Sequence, residues 1–504
     1  MSEPLQFERP ESPTDYDEVP YPGKFYPQSS PHRLATMSLL FNLAAAPVDH
    51  CRILELGCGD GGNLIPQAFY LPGSQFVGID LSSTAIARGH QTIQELGLTN
   101  IQICTQDLLD FPENAGAFDY ILVHGIYSWV PAEARQQLLK ICSRHLSSNG
   151  VAYISYNALP GGHLRRYPRE LMLFHTRAMN DPGVRIREAR NILEFILSAR
   201  PDRTIEKELL RRELVSSRIA DSFMYHDVLS EVNDPIYFLD FLDKAAAQGL
   251  QFLAESDPHN MSTAHFSDQV RAQLDSLPDR RIREQYLDFI YCRSFRQTLL
   301  CRTGHNLAAT LNPDTLDDLW IAGALTPEST PQLNDTEVLV FRTARATTVK
   351  VTEAIPKAIY LALNEVYPRG LCYEELLDNA LKMAGMDRES LPEEVEGKIV
   401  RMIMSSFING VVELRSYEPR FSASISEKPT ASALARKQAG ADGAVVSCLL
   451  ASNPLQDPFA RRLLSLLDGT RDREQLRRDM GAEASDEQIA TGLELLRRSA
   501  MLIA

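Results

Sequence analysis

Between residues 33 and 157 the chain alternates short apolar runs with helix-spaced segments, and this alternation restricts its fold more than any other feature. Arg52–Leu56, Gln75–Ile79, Ile101–Cys104, Phe118–His124 and Gly150–Ser155 each read as a strand. Asn63–Phe69, Ser83–Glu95 and Ala132–Leu146 read as helices; Ile86, Ala87 and Ile93 line one side of the second, and Gly97 fits its stop. Strands separated by helices imply a parallel sheet covered on both faces. Ligands of such a sheet sit at the carboxyl ends of its strands.

The first strand runs into Gly57, Gly59 and Gly62, spaced as a dinucleotide-binding loop. Yet Glu55 precedes this loop, Asp60 lies inside it, and Asp80 and Asp107 follow the second and third strands. A pyrophosphate there would face like charges where water is scarce. A cationic ligand fits better. S-adenosylmethionine carries an ammonium, a sulfonium and a ribose rich in hydroxyls. Asp80 would accept the ribose hydroxyls and Asp107 would lie near the adenine edge.

These residues resemble class I S-adenosylmethionine-dependent methyltransferases: "ELGCGDGGN" is similar to their first motif, "GIDLS" to their second and "TQDLLD" to their third. The resemblance implies a doubly wound, Rossmann-like α/β sheet. It also implies donor contacts at Glu55, Gly57, Cys58, Gly59, Gly61, Asn63, Asp80, Leu81, Ser82, Asp107, Leu108 and His124.

For the acceptor, the loop after the fourth strand is His124-Gly-Ile-Tyr-Ser-Trp-Val-Pro131, without the Asn/Asp-Pro-Pro-Tyr/Phe signature of enzymes that methylate amides. It offers Tyr127, Ser128 and Trp129 instead; aromatic faces attract cations. His124 is read as shaping the donor pocket. Tyr156 and Asn157, after the fifth strand, face the same cleft in this reading. Tyr16, Tyr21, Phe25 and Tyr26 make the proline-rich N-terminus too aromatic for a solvated tail, and a strap over the cofactor is expected. The amine would then sit among Tyr26, Tyr127, Tyr156 and Asn157. A lysine acceptor, with a free pKa of about 10.4, would lose its proton more readily when buried there.

After residue 200 the text turns helical. Asp234 and Pro235 read as a helix start, with Ile236, Leu239, Leu242 and Ala246 on one face. Asp279–Cys301 reads as one long helix whose arginines form a solvated face paired with Glu284 and Asp288. Tyr225–Glu255 and Glu284–Leu300 resemble the methyltransferase regulatory domain. That domain accompanies the methyltransferase fold in bacterial protein-lysine methyltransferases of the kind that act on outer-membrane proteins. "YDEVPYPGKFYPQSSPHRLA", "HGIYSWVP" and "SYNALPGG" are also similar to that family.

Farther on, Leu316–Ala324, Glu337–Arg342 and Thr347–Val351 read as strands that either complete the main sheet or form a separate hairpin. Three helices (Glu353–Val366, Tyr373–Leu381, Glu393–Phe407) and strand Val411–Leu414 read as a winged helix. Its third helix sets Lys398 and Arg401 against Glu393, Glu394 and Glu396, so contact with a protein or a homodimer partner fits better than contact with DNA. The expected organisation is an aromatic strap (1–32), a SAM-binding domain (33–180), a helical regulatory domain (200–310), strands plus a winged-helix-like domain (311–425), a linker (426–443) and a helical tail (444–504) that braces the fold.

The whole chain of 504 residues carries a formal net charge of −15, which disfavours nucleic acid as a partner. The sequence has no apolar run long enough for a membrane span and no signal-peptide pattern, and its eight cysteines form no C-x-x-C pair; a cytoplasmic setting without metal is expected. The overall expectation is a SAM-dependent methyltransferase acting on lysine side chains of a protein substrate. The alternatives are a small-molecule methyltransferase and a non-catalytic regulator that binds the donor or its product.

Overall fold

The computed structural model describes residues 18–21, 23–218, 220–333, 337–481 and 484–504. Tyr16 and most of the expected N-terminal arm lie outside the described residues.

The main sheet has seven strands in the order β3-β2-β1-β4-β5-β7-β6. The first five are β1 (Arg52–Leu56), β2 (Gln75–Asp80), β3 (Ile101–Thr105), β4 (Phe118–Val123) and β5 (Leu146–Asn157), all mutually parallel. Their alternation with helices Leu64–Tyr70, Ser83–Glu95 and Ala132–His145 matches the sequence pattern. The sheet separates two apolar layers. Ile53, Phe76, Tyr120 and Tyr153 belong to one, and Leu54, Ile121, Ala152, Tyr156 and Phe241 to the other.

The expected helical domain supplies the missing edge of this sheet. β6 (Leu250–Glu255) and β7 (Phe295–Arg302) come from that region, and β7 runs antiparallel between β5 and β6. The segment expected as one helix over Asp279–Cys301 is therefore a helix, Arg280–Tyr291, followed by a strand. Cys292 takes a left-handed conformation (φ 48°) that ends the helix and turns the chain into β7.

The arginine set expected to be solvated divides accordingly. Arg296 lies on β7 and is fully buried, bonded to Glu255 Oε1 at 2.6 Å and to both Asp288 carboxylate oxygens at 3.0 Å. Its guanidinium also sits 3.8 Å from the Phe238 ring centre. Burial opposes the charge, but Glu255, Tyr156, Asp288 and Glu284 together hold its pKa above the ordinary arginine value. A second correction concerns Asp234. The helix there is Phe238–Ala246, with Tyr237 at its cap, and the Asp234 carboxylate pairs with Arg135 instead.

The strands between 316 and 351 do not join the main sheet. Leu325–Pro327, Leu339–Thr343 and Thr348–Val351 form a separate antiparallel sheet. Trp320–Ala322 pairs with Glu413–Arg415, beside helices Ala354–Val366, Tyr373–Ala384 and Glu393–Ile408.

Residues 426–443, expected to be a linker, contain a helix, Ala433–Ala439. Ser432 caps it, and Leu434, Ala435 and Ala439 are buried, so its apolar face overrides a composition that reads as flexible. This C-terminal unit packs onto the main domain. The Tyr70 hydroxyl lies 2.7 Å from Ser432 Oγ and donates to the Val446 carbonyl at 2.9 Å. Among the described residues no helix is long and apolar enough to cross a membrane.

Candidate functional site

The site forms where β1, β2 and β4 end. The loop after β1 turns sharply enough to require positive φ, 75° at Gly57 and 55° at Gly59. The turn brings the Gly59 N–H to Asp80 Oδ2 at 2.8 Å, while the Ser82 N–H donates to Asp80 Oδ1 at 2.9 Å. One carboxylate thus clamps the ends of two strands. Ser82 also caps the helix Ser83–Glu95 by accepting from the Ala85 N–H. Asp107 accepts from the Leu109 N–H at 2.8 Å and starts a short turn that includes Leu108. Leu81 stands exposed at the rim, whereas the Cys58 side chain joins the core.

Glu55 is the least satisfied group in this loop. Its side chain is buried, and Asn63 Nδ2 donates to Oε1 at 2.7 Å. The other oxygen, Oε2, is buried without a hydrogen-bond partner. Burial pushes the Glu55 pKa up to about 8; the Asn63 bond opposes this, and nearby Asp80 and Asp60 add to it. A buried acceptor without a donor is costly, and a cation placed there would remove that cost.

Part of the aromatic N-terminus, expected as a strap, runs across the glycine loop. The Tyr26 N–H donates to Asn63 Oδ1 at 3.0 Å, and its ring stacks on His124 with centroids 3.6 Å apart. Phe25 is buried in the core. The strap crosses the glycine loop so closely that a Cβ on Gly62 would lie 2.5 Å from the Gly23 carbonyl carbon. Its earlier part reaches the segment after residue 220: Tyr21 donates to Asp227 Oδ2 at 3.3 Å, and His226 Nε2 lies 2.6 Å from the Val19 carbonyl.

His124 sits 2.9 Å from the Tyr153 hydroxyl through Nδ1, and burial lowers its pKa to about 4. A neutral, stacked imidazole of that basicity shapes a pocket and is poorly suited to take a proton from an ammonium.

Two expected acceptor-side residues are elsewhere. Tyr127 and Tyr156 are both fully buried, packed edge-on at 5.2 Å and stacked at 4.2 Å against Phe241. The period of two along β5 is the reason: Tyr153, Ser155 and Asn157 share one face, and Tyr156 takes the opposite one. Tyr153 and, from β7, Phe295 are the aromatic rings beside His124. Tyr153 was available from strand alternation. Phe295 was hidden by reading its segment as helix.

Asn157 does reach a cavity, of about 400 Å³, beside the end of β5, with His163, Arg165, Asp227, Asn233 and Ser294 among its lining. Its Nδ2 donates to Asn233 Oδ1 at 3.0 Å.

Comparison with known proteins agrees with this geometry. The family model "Methyltransferase domain" matches residues 53–150, and "Predicted methyltransferase regulatory domain" matches 220–302. The model "PKMT, C-terminal winged helix domain" matches 427–494, the part read from sequence as linker and tail. The chain is similar to the uncharacterized protein RP789 of Rickettsia prowazekii, at 34% identity over 78% of this chain and 73% of that protein. It is 38% identical to RP028 of the same organism over 47% of this chain and 96% of that protein. Among solved structures, PKMT2 from Rickettsia typhi in complex with AdoHcy matches with a TM-score of 0.87 and 28% identity, covering 96% of this chain and 100% of that one. With its strand-end carboxylates, its regulatory segment and its full-length relatives, the chain belongs to the class I S-adenosylmethionine-dependent methyltransferases that carry a methyltransferase regulatory domain.

Proposed function

We propose that the protein methylates lysine side chains of a protein substrate. The observation that supports this most is its likeness to the Rickettsia typhi PKMT2 along almost the whole chain, with the PKMT-type winged helix included.

The donor site fits S-adenosylmethionine by its own chemistry. Glu55 Oε2 lacks a partner and suits the ammonium, and the loop from Gly57 through Gly61 to Asn63 would hold the methionine end. Asp80, fixed by the Gly59 and Ser82 N–H groups, would accept the ribose hydroxyls, and Asp107, with Leu81 and Leu108, would border the adenine. When bound, the donor supplies an electrophilic methyl group. Tyr26, stacked on His124, would cover the bound donor from outside and keep water from it. With no strong base in this stack, the chain's contribution is to position and desolvate the two reactants. Asn157, which lines the cavity at the end of β5, would lie on the acceptor side.

The same reading places the enzyme in the cytoplasm, acting on an outer-membrane protein before export. A homodimer belongs to the same reading.

Incubation with methyl-labelled donor and a bacterial extract, followed by acid hydrolysis of the protein fraction, tests the proposal. Methyl-lysine is expected. Label found only in small molecules would refute it, and label found nowhere would favour a donor-sensing regulator.

A further inference from the structure

Most charges that line the cavity beside β5 are already matched. Arg166 pairs with Glu170 at 2.7 Å, and Arg165 with Glu213 at 3.4 Å. Asp234 pairs with Arg135, and Arg169 donates to the carbonyls of Ser230 and Glu231. Asp227 differs. Among the described residues its carboxylate forms no ion pair, and it accepts one side-chain hydrogen bond, from Tyr21. It lies in a single π-helical turn, Met224–Val228, an element that often marks a functional position.

The surroundings make that carboxylate costly. Burial raises its pKa to about 6, although the Tyr21 bond and the more distant Arg165 and Lys24 act in the other direction. Burial raises the Tyr26 pKa most, and the charges of Glu55, Asp227 and Asp60 add to it. The strap joins Asp227 and the donor loop directly: Tyr21 touches Asp227, and Tyr26 touches Asn63 and His124. Across the cavity, Asn157 uses its amide N–H on Asn233, and Asn233 in turn donates to the Asp227 main-chain carbonyl at 3.1 Å. A volume of about 400 Å³ accommodates a lysine side chain.

We infer that Asp227 binds the cationic end of the methyl acceptor in this cavity, with Asn157 beside it. The inference rests on the lysine reading above and extends it, because it gives the regulatory segment a direct part in substrate binding. A desolvated carboxylate without a counter-ion gains most from an ammonium and little from a neutral acceptor. Asp227 thereby selects amine side chains over hydroxyl or thiol acceptors at the binding step; the ammonium then releases its proton to solvent, and the neutral amine's lone pair takes the methyl as the sulfonium's bond to it breaks.

The test uses the full chain saturated with S-adenosylhomocysteine and n-butylammonium, the head of a lysine side chain, as probe. Ligand-observed NMR titration of wild type should show saturable binding. Asp227→Asn still accepts the Tyr21 hydroxyl, yet should weaken the probe by about tenfold or more, with S-adenosylhomocysteine affinity held within about twofold. Asp227→Glu, which restores the charge, should recover part of the binding. In labelled transfer assays on an extract, methyl-lysine formation should fall by at least a similar factor in Asp227→Asn.

Equal probe binding and equal methyl-lysine formation in wild type and Asp227→Asn would overturn the inference and leave the lysine reading in place. Transfer by wild type to a neutral acceptor alone would overturn both. Transfer to another cationic amine that is lost in Asp227→Asn would overturn the lysine reading while supporting the role of Asp227.

Discussion

Replacing Glu55 by Gln gives the sharpest test of the donor site. In the structure Glu55 is buried, one oxygen is bonded to Asn63 and the other has no partner. With its pKa near 8, about one empty site in eleven carries the charge at pH 7, so ionising it to receive the donor's ammonium costs roughly 1.4 kcal/mol there. Wild-type affinity for S-adenosylhomocysteine should therefore climb close to tenfold between pH 6 and 7 and about another fivefold between pH 7 and 8, flattening only above pH 8.

Gln still accepts from Asn63 but cannot pair with an ammonium. At pH 8 the variant should bind about ten- to a hundredfold more weakly, the worth of a charged hydrogen bond at roughly 1.5–3 kcal/mol. Toward pH 6 the two proteins should converge. Stability without ligand should show the opposite trend. The folded pKa lies above the unfolded value, so this group's contribution is greatest below about pH 4.5 and is lost as pH rises toward 8. Gln abolishes that slope. Isothermal titration at pH 6, 7 and 8 in two buffers of different ionisation enthalpy reads both affinity and proton release. A wild-type affinity flat across that range, or a Gln variant of full affinity at pH 8, would refute the assignment of Oε2 to the ammonium.

Asp80→Ala removes the clamp on the Gly59 and Ser82 N–H groups as well as the expected ribose contact, so S-adenosylhomocysteine affinity should fall by about tenfold or more by calorimetry. Gly62→Ala inserts a Cβ into the Gly23 backbone; donor affinity should drop through displacement of the strap, with the urea midpoint of the main transition nearly unchanged. Tyr26→Ala should raise the donor's dissociation rate in stopped-flow displacement, because the ring that covers His124 is gone. Arg296→Ala leaves Glu255 and Asp288 buried without their counter-ion and should destabilise the fold by about 3–5 kcal/mol in urea denaturation.

The residues expected to hold the donor are legible in sequence because they lie close along the chain. Glu55, Gly57, Gly59 and Asn63 fall within one loop, and Asp80 and Asp107 end the next two strands, so periodicity and turn chemistry locate them. The acceptor half is assembled from distant segments. Asp227 reaches Tyr21, and Phe295 reaches His124, through contacts that no local pattern records. Tyr156 was misplaced by one step of strand alternation, since an apolar run buried on both faces gives no sign of which residue faces the cleft. β7 was missed because a helix with a clear amphipathic face leads into it, and only the left-handed Cys292 marks the break. Arg296 follows from that miss: on a helix it would be solvated, whereas on a central strand it is an ion-paired core residue.

The position of β7 between β5 and β6 also sets a timetable for synthesis. While the first five strands emerge from the ribosome, β5 is an open edge of the nascent sheet, and it stays open until Arg302 has cleared the exit tunnel. A bare strand edge held for so long invites pairing with other chains, so codons or chaperones that hasten the passage from Asn157 to Arg302 should raise the soluble yield, and a chain stopped before Phe295 should be prone to aggregate.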